Sequence, residues 1–267
     1  MLTKTQLAAT DRFVVEDVRC GSHRGSWSAP EESARHAVVF VRAGCFRRRV
    51  DGVESLLDPV SVYFERPGQE QQVAHPRDGG DVCTQLVLDE RFVDDAFGGE
   101  LGVPSRPMLT SADVDLAHRL LVRAAHAGDV FDLTERVVTL VARTRARTTG
   151  ERARLRASTV AARRRAVEGT REAIVADPGA GLLELARTVS VSPHHLSRIF
   201  RAETGETITR YRNRVRVRIV LERLGDGERS LARLAAELGF ADQAHLARVV
   251  RAEVGATPSA LRRLLAA

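Results

Sequence analysis

The chain has 267 residues, a length that favours two domains, each large enough to bury a core of its own. No stretch approaches the roughly 18 consecutive apolar residues of a membrane span, and the opening MLTKTQLAATDRF has no apolar run followed by a small-residue cleavage site, so a soluble cytoplasmic protein without a membrane partner is expected. Charge is divided unevenly: residues 1–142 hold 16 Lys+Arg against 22 Asp+Glu, a balance of −6, whereas residues 143–267 hold 25 against 13, or +12, which calls for a polyanionic partner. Lys4 is the only lysine, so this positive charge is almost all guanidinium, a group that forks onto phosphates and guanine edges.

From Phe13 to Leu88 short β-type runs alternate with turn signals: FVVEDVRC, HAVVFVRAG, CFRRRV, VESLL, SVYFE, QQVAH and VCTQLVL, with Asp51-Gly52 as a hairpin turn. Seven or so such strands predict a small sandwich or barrel. Arg47 and Arg49 alternate with Phe46 and Arg48, which reads as a solvated strand edge. After GVPSRP the period becomes helical. Asp113 to His126 places Leu116, Leu120 and Arg123 on one repeat, and a second segment opening at Asp129 or Asp132 aligns Leu133, Val137, Leu140 and Val141, predicting a helical hairpin. Residues 143–157, arginine-rich and without an apolar stripe, read as an interdomain linker, and from Ser158 onward every segment reads as helical.

From Leu182 the chain repeats itself about fifty residues later. His195, Leu196, Arg198, Arg201, Ala202, Glu203, Gly205 and Thr207 recur as His245, Leu246, Arg248, Arg251, Ala252, Glu253, Gly255 and Thr257. Upstream, Leu182, Leu185 and Ala186 recur as Leu231, Leu234 and Ala235 at an offset of 49, so the second turn is one residue longer than the first. Each copy reads as a short helix, a tight turn and a longer helix. Leu182, Leu185, Ala186 and Val189 form the first apolar stripe, Ser190-Val191 turns, and Ser192-Pro193 supplies an N-cap and a first-turn proline. Leu231, Leu234, Ala235 and Leu238 lead in the second copy to Gly239-Phe240 and the cap Asp242, while Gly205 and Gly255 suit the left-handed residue that ends a helix.

The longer helix of each copy divides its faces. Leu196, Ile199 and Phe200 point one way, whereas His194, Ser197, Arg198 and Arg201 share the opposite face. In the second copy Leu246, Val249 and Val250 are expected inside, with Gln243, Ala244, Ala247, Arg248 and Arg251 outside. An exposed row of arginine, glutamine, serine and small residues near a helix start is what reading base edges in a major groove requires. Between the copies a helix is predicted from Thr207 to Leu224, with Tyr211, Val215, Ile219 and Val220 inward and arginines distributed around it. Its eighteen residues span roughly 27 Å, enough to hold two recognition helices near one turn of DNA apart, about 34 Å.

The stretches LLELARTVSVSPHHLSRIFRAETGETITRYRNRVR and SLARLAAELGFADQAHLARVVRAEVGATPSALRR resemble the DNA-binding domain of AraC/XylS-type regulators over residues 160–267. The resemblance implies double-stranded DNA as partner, base contacts from His194, Ser197 and Arg198 and from Gln243, Ala244 and Arg248, and phosphate contacts from Arg201 and Arg251. The chain departs from the family pattern at Leu246 and Val250, where an aromatic is common, and at Val220, usually alanine. Such proteins commonly carry an N-terminal cupin-like barrel that senses a small molecule and a homodimer contact, and act on RNA polymerase. The expectation is therefore an α+β protein: a cupin-like β sensor domain at 1–106, a helical hairpin and linker at 107–157, and a domain of two helix-turn-helix units joined by a long helix at 158–267.

Within the N-terminal half, Trp27, Phe40, Phe46, Tyr63 and Phe64 are the candidates for an effector pocket. Metal enzymes of the cupin type usually show an H-x-H pair, whereas His23, His36 and His75 stand alone, so neither catalysis nor a cofactor is expected. Cys20, Cys45 and Cys83 show no C-x-x-C spacing and read as reduced thiols; a metal- or redox-sensing role for these N-terminal Cys and His residues is the alternative.

Overall fold

The computed structural model describes residues 2–21, 25, 27–76, 79–97, 104, 106–127, 130–146 and 157–265. His23, Asp129 and residues 147–156 of the expected linker lie outside them. The chain divides into two compact units, residues 1–149 and 150–266. Among the described residues no helix is long and apolar enough to cross a membrane.

The first unit holds two antiparallel sheets. Strands β1 (Leu2–Ala9), β2 (Phe13–Cys20), β4 (His36–Gly44), β7 (Ser61–Glu65), β9 (Asp81–Leu88) and β10 (Met108–Leu109) form one, in the order β1-β2-β9-β4-β7-β10. Strands β3 (Glu31–Glu32), β5 (Phe46–Val50), β6 (Val53–Leu57) and β8 (Glu70–Ala74) form the other, in the order β3-β8-β5-β6. The β5–β6 hairpin turns at Asp51 (φ 50°) and Gly52 (φ 73°), the two left-handed residues that a two-residue turn matching strand twist requires.

The apolar run HAVVFVRAG is explained by burial of both faces of β4. Val38 and Phe40 pack with Phe13, Val15, Phe64, Leu86 and helices, whereas Ala37, Val39 and Val41 pack with Phe46, Leu57 and Tyr63. The helices on the first face are α1 (Glu90–Phe97), α2 (Ala112–Ala127) and α3 (Val130–Arg145). In α3 the expected Leu133, Val137, Leu140 and Val141 are buried. In α2 the inward face is rotated from the expectation: Val114, His118, Leu121 and Ala125 are buried, Leu116 and Leu120 are half-buried and Arg123 is exposed. The sheet selects that face, because the His118 ring stacks on Phe40 with centroids 4.6 Å apart.

The run Phe46–Val50 is not a solvated edge. Strand β5 is paired on both sides, to β6 and β8, and Arg48 is only 2% exposed. Its Nε donates to Gln71 Oε1 at 2.6 Å, Nη2 donates to Gln69 Oε1 at 3.2 Å, and the guanidinium carbon lies 4.4 Å from the Tyr63 ring centroid. Amide acceptors and an aromatic face make burial of this cation tolerable.

The second unit is all helical among the described residues: α4 (Ala157–Ala176), α5 (Leu182–Thr188), α6 (Pro193–Thr204), α7 (Ile208–Gly225), α8 (Leu231–Glu237), α9 (Gln243–Val254) and α10 (Pro258–Leu265). The protein is thus α+β, with two helix-turn-helix units, α5–α6 and α8–α9, joined by the long helix α7.

Candidate nucleic-acid interface

The two units are built alike because the same local devices recur in sequence. Helix α6 starts at Ser192, whose hydroxyl accepts from His195 N at 3.2 Å, followed by Pro193. Helix α9 starts at Asp242, whose carboxylate accepts from His245 N at 2.6 Å. Each cap satisfies a helix-start amide that has no partner within the helix. Gly205 (φ 80°) and Gly255 (φ 77°) end the two helices, with amides donating to Arg201 O and Arg251 O at 2.9 Å.

The turns also correspond. Val191 N donates to Ala186 O at 3.1 Å and Phe240 N to Ala235 O at 2.9 Å. The residue before each is left-handed: Gly239 at φ 69° and, in the first copy, Ser190 at φ 55°. A serine gives little sequence signal for this conformation, which only the alignment of the two copies exposes.

The division of faces is as expected. Leu196, Ile199 and Phe200 are buried, while His194, Arg198 and Arg201 are exposed and Ser197 is half-buried. Leu246 and Val250 are buried, Val249 is half-buried rather than fully inside, Ala247 is half-buried rather than fully outside, and Gln243, Ala244, Arg248 and Arg251 are exposed. Arg198 Nη2 lies 3.2 Å from His195 Nδ1, which holds the guanidinium over the first turn of α6. Leu182, expected within the first apolar stripe, is instead 40% exposed, because α5 turns only Leu185 and Ala186 fully inward.

The central helix departs most from the sequence reading. Tyr211, Val215 and Val220 are buried as expected, with Phe200 against Tyr211 edge to face at 5.2 Å. Arg214, Arg216 and Arg218 are buried too, so part of the basic charge is structural rather than presented to a partner. Arg214 Nη1 donates to Glu206 at 2.7 Å; burial still pushes the Glu206 carboxyl up, against the pull of that arginine. Arg212 Nη1 donates to Ala180 O at 2.6 Å and Arg216 Nε to Pro178 O at 2.7 Å, carbonyls of the loop that precedes α5. Burial lowers the Arg216 guanidinium to about 10, so it is still charged at neutral pH.

In the first unit the five aromatic candidates do not come together. Phe40 and Phe64 belong to the core under α2 and α3, and Phe46 and Tyr63 to the core between the sheets. Trp27 stacks under the Arg49 guanidinium at 3.9 Å. A cavity of about 150 Å³ is lined instead by Arg48, Val50, Asp51, Val53, Ser55, Arg106 and Pro107.

Residues 185–264 match the family described as a helix-turn-helix domain. The match falls within residues 160–267, the stretch that resembles the DNA-binding domain of AraC/XylS-type regulators. An HTH-type transcriptional regulator of Mycobacterium tuberculosis is 30% identical over 111 residues, 38% of this chain and 43% of that protein, so the match spans less than half of the relative. Among solved structures, ToxT from Vibrio cholerae is similar at 12% identity and a TM-score of 0.41, over 97% of this chain and 99% of that one. A cupin superfamily protein from Desulfitobacterium hafniense is similar at 18% identity and a TM-score of 0.28, over 33% of this chain and 77% of that one. At these scores neither likeness bears on what this chain binds.

Proposed function

We propose that this protein is a sequence-specific DNA-binding transcription regulator. The observation that carries the reading is the pair of capped helices, α6 and α9, which expose His194, Arg198 and Arg201 and, in register, Ala244, Arg248 and Arg251. A single exposed basic face is an ordinary solvated surface; the same face twice, with matching caps and turns, fits two successive major grooves. His194, Ser197, Arg198, Gln243, Ala244 and Arg248 read base edges, and Arg201 and Arg251 hold phosphates.

In this reading residues 1–106 sense a small-molecule effector, residues 107–157 couple the signal and pair two chains in a homodimer, and residues 158–267 bind DNA. The chain works in the cytoplasm, alters RNA polymerase occupancy of a promoter and acts by binding rather than by catalysis.

Selection of binding sites from a random DNA pool by the full-length protein, at near-physiological salt, tests the proposal. Two conserved blocks about one helical turn apart, 10–10.5 base pairs, are the expected result. Recovery of no motif, with only salt-sensitive general binding, contradicts it.

A further inference from the structure

We propose that Cys20, His75 and Asp81, with Cys83 beside them, form a binding site for a borderline-soft divalent cation of the zinc class at one end of the β domain. Cys20 ends β2 and pairs directly with Asp81, the first residue of β9, so their side chains stand together on one face of the sheet. Cys83, two residues further along β9, shares that face. His75 reaches them from the other sheet, immediately after β8.

The ligand atoms of Cys20, His75 and Asp81 all lie within 4.8 Å of one another. His75 Nε2 is 2.5 Å from Asp81 Oδ1, and Cys83 Sγ donates to Asp81 Oδ2 at 3.2 Å. His75, Asp81 and Cys83 are buried and Cys20 is half-buried, which leaves an approach from solvent on the Cys20 side. Metal bonds of about 2.0 Å to nitrogen or oxygen and about 2.3 Å to sulfur put tetrahedral donors roughly 3.3–3.8 Å apart, within reach of side-chain rotation. Sulfur, imidazole and carboxylate together select zinc-like ions over magnesium or calcium.

The backbone is pre-set around the group. A Cβ on Gly80 (φ 67°) would lie 1.7 Å from Cys20 O, and one on Gly44 (φ 75°) 2.2 Å from Gly80 O. Three chain segments therefore meet backbone to backbone, which fixes Cys20 against Asp81. Binding releases the Cys20 thiol proton to solvent, and the proton between His75 Nε2 and Asp81 Oδ1 moves to His75 Nδ1 or to solvent, so that Nε2 and the carboxylate exchange their hydrogen bond for two metal bonds. The cation would tie β2 and β9 of one sheet to the end of β8 in the other. This assignment does not depend on DNA binding.

Chelator-stripped, tag-free full-length protein titrated with Co²⁺ under reducing conditions tests it. One cobalt per chain is expected, with a thiolate-to-cobalt charge-transfer band, the strong visible bands of tetrahedral cobalt, and displacement by Zn²⁺. Cys20→Ser and His75→Gln should each weaken binding at least tenfold, whereas Cys45→Ser should leave it unchanged. Thermal unfolding checks that each variant is folded; if one is not, the other decides. Absence of the thiolate band in the wild-type chain, or equal affinity in a folded Cys20→Ser or His75→Gln variant, overturns the proposal.

Discussion

The Arg216 guanidinium lies 4.9 Å from the centroid of the Phe240 ring, while its Nε donates to Pro178 O at 2.7 Å. One side chain of α7 thereby braces the turn of the second helix-turn-helix unit and the loop leading into the first. Gly239 completes the junction, since it meets Gly179 so closely that an added Cβ would fall 2.6 Å from Gly179 Cα.

Replacing Arg216 by methionine keeps most of the stem but leaves the Pro178 carbonyl without its donor and the Phe240 ring without its cation. Loss of a part-buried hydrogen bond from a charged donor costs about 1–3 kcal/mol, and the ring contact adds about 1 kcal/mol. Part of this is offset by relief of the guanidinium's desolvation. We expect Arg216→Met to lower stability by about 2 kcal/mol, read from urea unfolding followed by far-ultraviolet circular dichroism. An unchanged midpoint would mean that the bond forms without bracing anything.

Ser190 and Gly239 occupy equivalent left-handed turn positions, at φ 55° and 69°. A residue with a Cβ loses roughly 1 kcal/mol there, and glycine does not. Ser190→Gly should therefore be neutral or stabilising by up to about 1 kcal/mol. Gly239→Ser should be destabilising by about 2 kcal/mol or more, because strain adds to the collision with Gly179. Thermal midpoints moving in the same direction for both variants would refute the equivalence of the two turns.

Arg198 and Arg251 are both exposed, yet they stand at different points along their helices: Arg198 midway along α6, Arg251 in the last turn of α9. Arg198→Ala should cost about 1–3 kcal/mol on a selected site and relax base preference at one position. Arg251→Ala should weaken binding to all sequences alike and reduce the salt slope by about one. Fluorescence anisotropy with specific and random duplexes separates the two outcomes. An equal loss on both duplexes for Arg198→Ala would remove it from base reading.

The C-terminal domain was legible because its punctuation is local: Ser192-Pro193, Asp242, Gly205 and Gly255 mark helix ends by their own backbone and capping chemistry, and the internal repeat says each thing twice. Arg48 and Arg216 were not legible as core residues, since their acceptors Gln69, Gln71 and Pro178 lie 21 to 38 residues away in sequence, and Arg214 was not because its partner Glu206 lies outside the helix that carries it. The exposed strand β1 carries no clean apolar alternation, and β3 and β10 are two-residue pairings that exist only because a neighbour strand is present. The rotated face of α2 has the same origin: its apolar residues lie on more than one side, and contact with Phe40 decides which side turns inward. The grouping of Cys20, His75 and Asp81 depends on strand pairing across about sixty residues, which no local pattern carries.

Glu228 supplies a test by pH. Its carboxylate accepts from the Arg233 side chain, from Ser230 N at 2.7 Å and from Arg223 Nη2 at 3.3 Å, just ahead of α8. The Arg233 bond, followed by the Ser230 amide, lowers the carboxyl from its ordinary 4.5 to about 2. A folded value below the unfolded one means that the contribution to stability is fully present above about pH 4.5 and is lost as pH falls toward 2. Glu228→Gln should therefore be less stable than the parent at pH 6, and the gap between them should close through pH 4 and 3. Urea midpoints at those three pH values, for the full-length chain, check this. Glu237, which also pairs with Arg223 and Arg233, stays in place in both proteins, so it enters the difference only through its coupling to Glu228 across those shared arginines. A gap that stays constant from pH 6 to pH 3 would show that Glu228 stabilises the start of α8 by shape and neutral hydrogen bonding, not by its charge.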